Sequence, residues 1–198
     1  MLKKWAVMAA LVLACSPAAA GADWLFTPNI GAGFGGNSRG GEHLTYGASI
    51  GFMGAGVFGW EADLAYTPEF FEGDDDDPDL LNTGDSNVTS IMGNVLIGVP
   101  IGGQTGAGVR PYFAGGAGLM QSRVEDADAL FEVDNNDFGI NLGGGVMGFA
   151  TDNVGFRGDV RYFRGFGEDE RNEQFDVDLS DFDFWRATVG VTFRWGNQ

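Results

Sequence analysis

The chain has 198 residues and a formal net charge of −17, with 28 acidic and 11 basic side chains. This length suits one domain, and the excess of acidic side chains argues against a nucleic-acid partner, because binding to phosphate backbones requires basic surfaces. Both lysines lie at positions 3 and 4, and no apolar stretch beyond the N-terminal segment approaches the length of a membrane helix. A membrane protein of this composition would have to be a β-barrel.

Residues 1–22 have the pattern of a cleavable signal peptide. Two lysines precede a short apolar run at 5–14, and small residues follow it. Cleavage after Ala22 and cleavage after Ala20 both satisfy the small-residue rule, and we favour Ala22. The only cysteine, Cys15, is either an ordinary signal residue or a lipid attachment site. In the first case the mature chain contains no cysteine and forms no disulfide.

Residues 23–198 form a single predicted domain in which apolar residues recur at every second position, as is typical of strands. The predicted strands span about 23–35, 44–53, 57–68, 87–100, 109–121, 138–149, 154–164 and 184–195. Eight is an even number, as a bacterial single-chain barrel requires. The sequence therefore predicts an all-β fold, an eight-stranded antiparallel up-and-down transmembrane β-barrel.

The connections between the predicted strands alternate between short and long. The short ones are 54–56, 102–108 and 151–153, and the long ones are 36–43, 69–86, 122–137 and 165–183. Bacterial barrels place short turns in the periplasm and long loops outside, so both mature termini are expected in the periplasm. Of the 28 acidic residues, 22 lie in the last three long loops, which predicts a strongly negative outer rim.

Aromatic residues at the strand ends predict two interfacial girdles. The girdle at the short-turn level contains Trp24, Trp60 and Trp195, with Phe58, Phe113 and Phe193. The girdle at the long-loop level contains Tyr66, Tyr162 and Trp185, with Phe34, Tyr46 and Phe138.

Charged residues occupy the face opposite these aromatics. The predicted inward charges are Glu61, Asp63, Arg110, Arg157, Asp159, Arg161, Arg186 and Arg194. The interior of an eight-stranded barrel is just filled by side chains, so charges from opposite walls should meet and pair. We interpret them as a structural plug, and the alternative is a narrow anion path, since arginines outnumber carboxylates in this set. A soluble barrel with an apolar interior is the rival fold, which inward charges at these positions would exclude.

At this point several stretches resemble a known family. They are WEADLAYTPEFF (60–71), MGNV (92–95), RPY (110–112) with GGAG (115–118), GGGVMGF (143–149) and GFRGDVRY (155–162). They are similar to the outer-membrane β-barrel domain family of small eight-stranded, OmpA-like proteins. The resemblance covers nearly the whole mature chain and implies the fold and a location in the outer membrane, but no shared catalytic residues. Members often end in an aromatic residue, whereas here Trp195 is followed by three further residues.

The acidic loops suggest a second kind of site. Asp74 to Asp77, together with Asp79, could gather calcium or magnesium, and such ions also bridge lipid phosphates. The run lacks the spaced ligands and the turn glycine of a calcium loop, so a solvated charge run is the favoured interpretation. We assign no metal-ligating residue and no cofactor. Outer-membrane lipid is the expected partner, and the protein is expected to be a monomer.

His43 is the only histidine, and Ser38 and Glu42 lie near it in the first long loop. Lipid-modifying enzymes and proteases of the outer membrane need a base held against a nucleophile, and this flexible spacing gives no reason for such geometry. No catalytic residue is therefore assigned. The sequence favours a non-enzymatic barrel that displays acidic extracellular loops for envelope integrity or surface interaction. A small-solute or ion channel is the alternative, and a lipid-modifying enzyme comes third.

Overall fold

The computed structural model describes residues 22–36, 43–54, 57–68, 86–102, 106–125, 132–166 and 183–196. These residues contain eight strands: β1 (Ala22–Phe34), β2 (His43–Gly54), β3 (Phe58–Pro68), β4 (Ser86–Gly98), β5 (Gly108–Glu125), β6 (Glu132–Phe149), β7 (Val154–Phe166) and β8 (Asp183–Gly196). Each strand pairs antiparallel with its neighbour in the chain, and β8 pairs with β1, so the barrel is closed. The predicted fold is confirmed. Apart from Ala22, the predicted signal peptide lies outside the described residues.

The barrel wall separates side chains by their parity along each strand. In β7, buried and more exposed positions alternate from Val154 to Phe166. The outward positions are apolar, with Phe113 of β5 exposed to 75%. An apolar outer wall and a polar interior are the reverse of a soluble barrel and match a membrane-spanning one. In the part of the chain that the structure describes, no helix has the length and apolar character needed to cross a membrane.

Closure of the sheet fixes how residues on distant strands meet. The paired residues, followed once around the barrel from Trp24, return to β1 at Phe34, a stagger of ten residues. A stagger of this kind requires the strands to tilt by about 35–45° to the barrel axis. Residues at equal positions along their own strands therefore lie at different heights in the barrel.

The two ends of the barrel differ, and we call them the turn end and the loop end. At the turn end, an isolated antiparallel bridge pairs Ile101 with Val109. In the turn between them, Gly102 and Gly106 have φ values of 95° and 77°. Such positive φ angles favour glycine, which has no Cβ to clash with the backbone. The loop end carries the longer connections, most of which lie outside the described residues.

Two predicted boundaries at the loop end, the end of β5 and the start of β6, are wrong. β5 and β6 each contain 18 residues and pair as far as Glu125 opposite Glu132, which shortens the predicted loop 122–137. The apolar alternation stops where the membrane-facing wall stops, while backbone pairing in this hairpin continues through polar residues. His43, predicted in a loop, is the first residue of β2.

Candidate functional site: the barrel lumen

A cluster of charged side chains joins opposite walls of the barrel. Glu61 of β3 accepts hydrogen bonds from Arg157 and Arg161 of β7, with 2.8 Å between Glu61 Oε1 and Arg161 Nη2. Arg157 also contacts Asp159, whose Oδ2 lies 3.1 Å from Arg157 Nε. The hydroxyl of Tyr112 on β5 donates to Asp159 over 2.6 Å and accepts from Arg157 over 2.7 Å. All five side chains are buried, so this network spans the lumen with little access for water.

Further hydrogen-bond and ring contacts of this network were missed from the sequence. Asn94 Nδ2 lies 3.3 Å from Glu61 Oε1, and Asn141 Nδ2 donates to Asn94 Oδ1 over 2.7 Å. The guanidinium of Arg157 lies 4.8 Å from the centroid of the Tyr112 ring. Both asparagines have the inward parity of their strands, so polar residues in the inward phase were the available signal.

A separate ion pair lies beside the central cluster. Arg186 of β8 pairs with Asp63 of β3, and its Nη1 lies 3.4 Å from the hydroxyl of Ser90. The same guanidinium covers the ring of Phe163 at 4.5 Å, and Phe163 stacks on Phe184 with 5.0 Å between ring centroids. This pair therefore connects the charged layer to apolar side chains at the loop end.

The turn end holds a third group, with two carboxylates that lie outside the predicted set of inward charges. Asp23 lies 3.9 Å from Arg110 and 4.0 Å from Arg194, and Asp152 lies 3.9 Å from Arg194. The ring of Phe149 lies between the two guanidinium groups, 5.6 Å from that of Arg110 and 4.2 Å from that of Arg194. Asp23 and Asp152 thus add two carboxylates, one of them in a turn, beside the arginines at the turn end.

Arg194 also ties together two turns. Its Nε donates to the carbonyl of Asp152 over 2.5 Å, and its Nη2 lies 3.3 Å from the carbonyl of Gly106. The amide of Gly106 donates to the side chain of Asp152 over 2.5 Å. The β4–β5 and β6–β7 turns are thereby fixed to the last strand across the turn end.

Apolar layers lie on both sides of the charged layer. The layer towards the turn end contains Leu25, Met53, Leu96, Ala114, Met147 and Phe149, and Tyr112 belongs to it as well. The layer towards the loop end contains Val88, Met92, Met120, Phe163 and Phe184. Close packing of this kind excludes water, and it makes each unpaired charge between the layers costly.

The chemistry open to these groups is limited. Arginine stays protonated in proteins, and Glu61, Asp63 and Asp159 each have an arginine partner. Among the described residues, no group of three His, Asp or Glu side chains is placed to hold a metal ion. His43 faces the lumen and is 9% exposed. Ser38, Glu42 and the run from Asp74 to Asp79 lie outside the described residues.

The residues of the predicted girdles lie on the outer wall. Trp24 and Trp60 form an edge-to-face pair at the turn end, with 5.6 Å between ring centroids, and Trp195 is exposed at the same end. Tyr162 packs on Trp185 at the loop end with a separation of 5.3 Å. Tyr66, also at the loop end, is exposed. The two sets are therefore separated along the barrel axis.

Comparison with solved structures finds barrels of the same fold. Neisserial surface protein A is 14% identical, with a TM-score of 0.60, and the match covers 90% of this chain and 98% of that one. The N-terminal β-barrel domain of Pseudomonas aeruginosa OprF is 18% identical, with a TM-score of 0.52 and coverages of 88% and 98%. Ail, the attachment invasion locus protein of Yersinia pestis, is 14% identical, with a TM-score of 0.50 and the same coverages.

No protein of curated function matches the chain. At the level of families, the sequence matches the outer membrane protein beta-barrel domain over residues 6–193. This match takes in all eight strands almost completely, and the solved structures share the closed antiparallel architecture. The chain therefore belongs to the outer membrane protein beta-barrel domain family, and its location is the bacterial outer membrane.

Proposed function

We propose that the protein is a non-enzymatic, closed β-barrel of the outer membrane, which displays acidic loops at the cell surface for envelope integrity or surface contacts. The observation that carries this proposal is the closed lumen. Arg157 and Arg161 bridge to Glu61 across the barrel, and apolar layers lie above and below them. A packed interior transmits no solute and leaves the surface loops as the variable part of the molecule.

Sequence charge and the similar barrels support a role at the surface. The three segments at 69–86, 122–137 and 165–183, which include the outer ends of several strands, contain 22 acidic residues. Two similar barrels have names that refer to the surface and to attachment. Divalent cations are the partners that such loops would bind first, because carboxylate oxygens are their preferred ligands and the same ions bridge lipid phosphates.

The absence of an enzymatic role is part of the proposal. A hydrolytic or acyl-transfer site needs a nucleophile beside a base that a third group orients. His43 faces the lumen from the start of β2, and the buried carboxylates are bound by arginine. An activity that requires His43 would be detected as a loss of lipid modification in the His43→Ala variant.

A narrow channel is the second candidate, because several donors in the charged layer have no hydrogen-bond partner among the residues that the structure describes. They include Arg157 Nη2, Arg161 Nη1 and Arg186 Nε. A rearrangement of these guanidinium groups could open a polar path past Tyr112. This candidate requires both apolar layers to separate at the same time.

Conductance in planar bilayers separates the two functions. We expect refolded wild-type protein to give no steady open current, and Arg157→Ala to give at most brief openings as the cross-barrel bridge is lost. Val146→Ala, a change on the outer wall, serves as the control and should match wild type. A steady wild-type current whose ion preference changes in Arg157→Ala would contradict the proposal of a closed lumen and would establish a channel.

A further inference from the structure

The pairing that closes the barrel is interrupted at a proline. Paired residues of β1 and β8 stop after Phe26 and resume at Asn29. The register on both sides of this gap puts Pro28 of β1 opposite Val191 of β8. Proline has no N–H and cannot donate to a ladder, which is why it is rare inside sheets. The seam between the first and last strands therefore lacks one backbone hydrogen bond.

The group that loses its partner is the backbone carbonyl of Val191. The amide of Arg194 donates to the carbonyl of Asn153 over 2.8 Å, on the side of β7. Successive residues of a strand direct their N–H and C=O groups to opposite sides, so Val191 directs its carbonyl towards β1. There it meets Pro28, which offers no proton. Among the residues that the structure describes, no other donor bonds to this carbonyl.

This carbonyl lies deep in the apolar wall. Trp185 and Trp195 of the two girdles are ten residues apart on β8, or about 33 Å along the strand. With a strand tilt of about 40°, this is about 25 Å along the membrane normal, the height of the apolar band of outer-membrane barrels. Val191 lies six residues from Trp185, or about 15 Å below the loop-end girdle. At this depth the bilayer supplies no water to an unpaired carbonyl.

The lumen supplies no water at this level either. Thr27 and Thr192 face the lumen beside the gap, and their hydroxyl groups hydrogen bond to each other over 2.9 Å. The two residues are 1% and 0% exposed. A donor for the Val191 carbonyl must therefore come from the membrane side.

An apolar groove lies over the seam on the membrane side. It has a volume of about 850 Å³, and its apolar lining includes Pro28, Ile30, Val146, Phe156, Val189 and Val191. Asn29 and Gly190 also line it. Asn29 directs its side chain into the lumen and Gly190 has none, so the backbone of the seam forms the floor of the groove. A molecule in the groove thus reaches the backbone where the ladder is interrupted.

We propose that this groove binds an elongated apolar ligand of the membrane that carries one hydroxyl group, which donates a hydrogen bond to the carbonyl of Val191. Binding sites of this kind combine an apolar lining with a few polar groups that fix the ligand, and here the polar group is an acceptor without a donor. A second copy of the barrel fits less well, because the described outward side chains at this depth are apolar and supply no donor. The inference goes beyond the proposed surface function and does not depend on the closed lumen.

Native mass spectrometry of the refolded full chain tests the hydrogen bond with two fatty acids. The probes are stearate and a hydroxystearate whose hydroxyl lies about 15 Å from its carboxylate, the depth of Val191 below the girdle. We expect wild type to bind hydroxystearate about tenfold more tightly than stearate, since one further hydrogen bond forms in an apolar site. Pro28→Ala supplies the missing N–H and should bind both probes equally. If wild type shows no preference, or Pro28→Ala keeps it, the proposal is wrong.

A second proline provides the matched control. Pro111 of β5 accepts a hydrogen bond from the amide of Val99 over 2.9 Å and cannot return one. It lies at the turn end and outside the groove. Pro111→Ala restores the equivalent N–H there and should keep the tenfold preference for hydroxystearate. Loss of the preference in Pro111→Ala would show that it does not arise at the seam.

The NMR chemical shift of the Val191 carbonyl carbon reports the contact directly. We expect hydroxystearate to move this resonance downfield in wild type, as the carbonyl accepts a hydrogen bond, and stearate to leave it in place. In Pro28→Ala neither probe should move it, because the carbonyl already has a donor. A resonance that hydroxystearate leaves unchanged in wild type would overturn the assignment of the acceptor.

Two leucine variants test the groove itself. A Cβ at Gly158, which also lines the groove, meets no atom closer than 3.8 Å, so Gly158→Leu fills the groove. Gly93→Leu is the control, because Gly93 faces outward on β4 and its Cβ would also lie 3.8 Å from the nearest atom. We expect Gly158→Leu to weaken binding of both probes and Gly93→Leu to leave it unchanged. Equal binding by the two variants, or a wild-type dimer that Gly158→Leu dissociates, would contradict the proposal.

Discussion

Glu61 is the residue on which the charged layer depends. Its two carboxylate oxygens bind two different arginines of β7, and Asn94 approaches the same carboxylate. Arg157 and Arg161 are 6% and 1% exposed. Neither guanidinium can therefore replace its contact with Glu61 by contacts with bulk water. Removal of one partner from a buried ion pair costs far more than the pair itself contributes, because the remaining charge is left uncompensated.

A double-mutant cycle on Glu61 and Arg161 measures this dependence. We expect Glu61→Gln and Arg161→Gln each to lower the free energy of unfolding by about 3–5 kcal/mol. The double variant should lose less than the sum, with a coupling energy of about 0.5–3 kcal/mol, because it leaves neither charge of this pair without its partner. Urea unfolding in detergent micelles, followed by tryptophan fluorescence, gives these values. Strictly additive losses would show that the two residues do not act together.

At the scale of single residues, the sequence predicts which side chains face the lumen but not which side chains they contact there. The alternation of apolar residues at every second position predicts Glu61 and Asp159 on the inward face, and both side chains are buried. Which arginine meets which carboxylate depends on the ten-residue stagger of the closure, and local pattern does not encode that stagger. Tyr112 was missed because only charged side chains were counted as lumen residues, although Arg110 inward and Phe113 outward on β5 already give Tyr112 the inward phase.

The contact between β6 and β7 depends on a glycine at the inward face. A Cβ on Gly143 would meet the carbonyl oxygen of Val160 and would lie 2.9 Å from Cγ of Arg161. The missing side chain lets Arg161 lie flat against β6 on its way to Glu61. The side chain of Arg161 in the charged layer thus requires a glycine at this position of β6.

Alanine substitution at this glycine tests the packing of the two strands. We expect Gly143→Ala to destabilise the barrel by about 1–3 kcal/mol, because the added methyl group forces β6 and β7 apart. Gly148→Ala is the matched control on the same strand, since a Cβ there meets no atom within 4 Å, and its effect should stay below about 0.5 kcal/mol. The fraction of folded protein on heat-modifiable gels across a urea series reports both. Equal effects would show that the close approach at Gly143 has no energetic role.

The ends of elements are predictable only where the membrane imposes them. Most predicted strand boundaries agree with the structure within about two residues, because apolar alternation begins and ends with the lipid-facing wall. β5 and β6 continue beyond that wall to Glu125 and Glu132. Their outer parts continue the backbone pairing, and the side-chain pattern carries little information about backbone pairing.

At the scale of the whole molecule, the girdles predict how deep each tryptophan lies in a bilayer. In single-tryptophan variants, Trp185 and Trp195 should both be quenched most by lipids brominated near the headgroup, because the two lie at opposite ends of the apolar wall. Val189→Trp in a tryptophan-free background should be quenched most by lipids brominated near the chain end. Quenching of Trp185 by mid-chain bromine above that of the Val189→Trp variant would contradict the predicted depth of the barrel.

The position of Arg186 and Arg194 on β8 has a consequence for biogenesis. Before β8 joins the sheet, Asp63 does not yet have its ion pair with Arg186, and Asp23 contacts only Arg110. The backbone edge of β1 is unpaired at this stage. A lipid bilayer tolerates neither uncompensated charge nor an open strand edge. A barrel without β8 would therefore expose both an open strand edge and carboxylates without their arginines, and the last strand removes both at once.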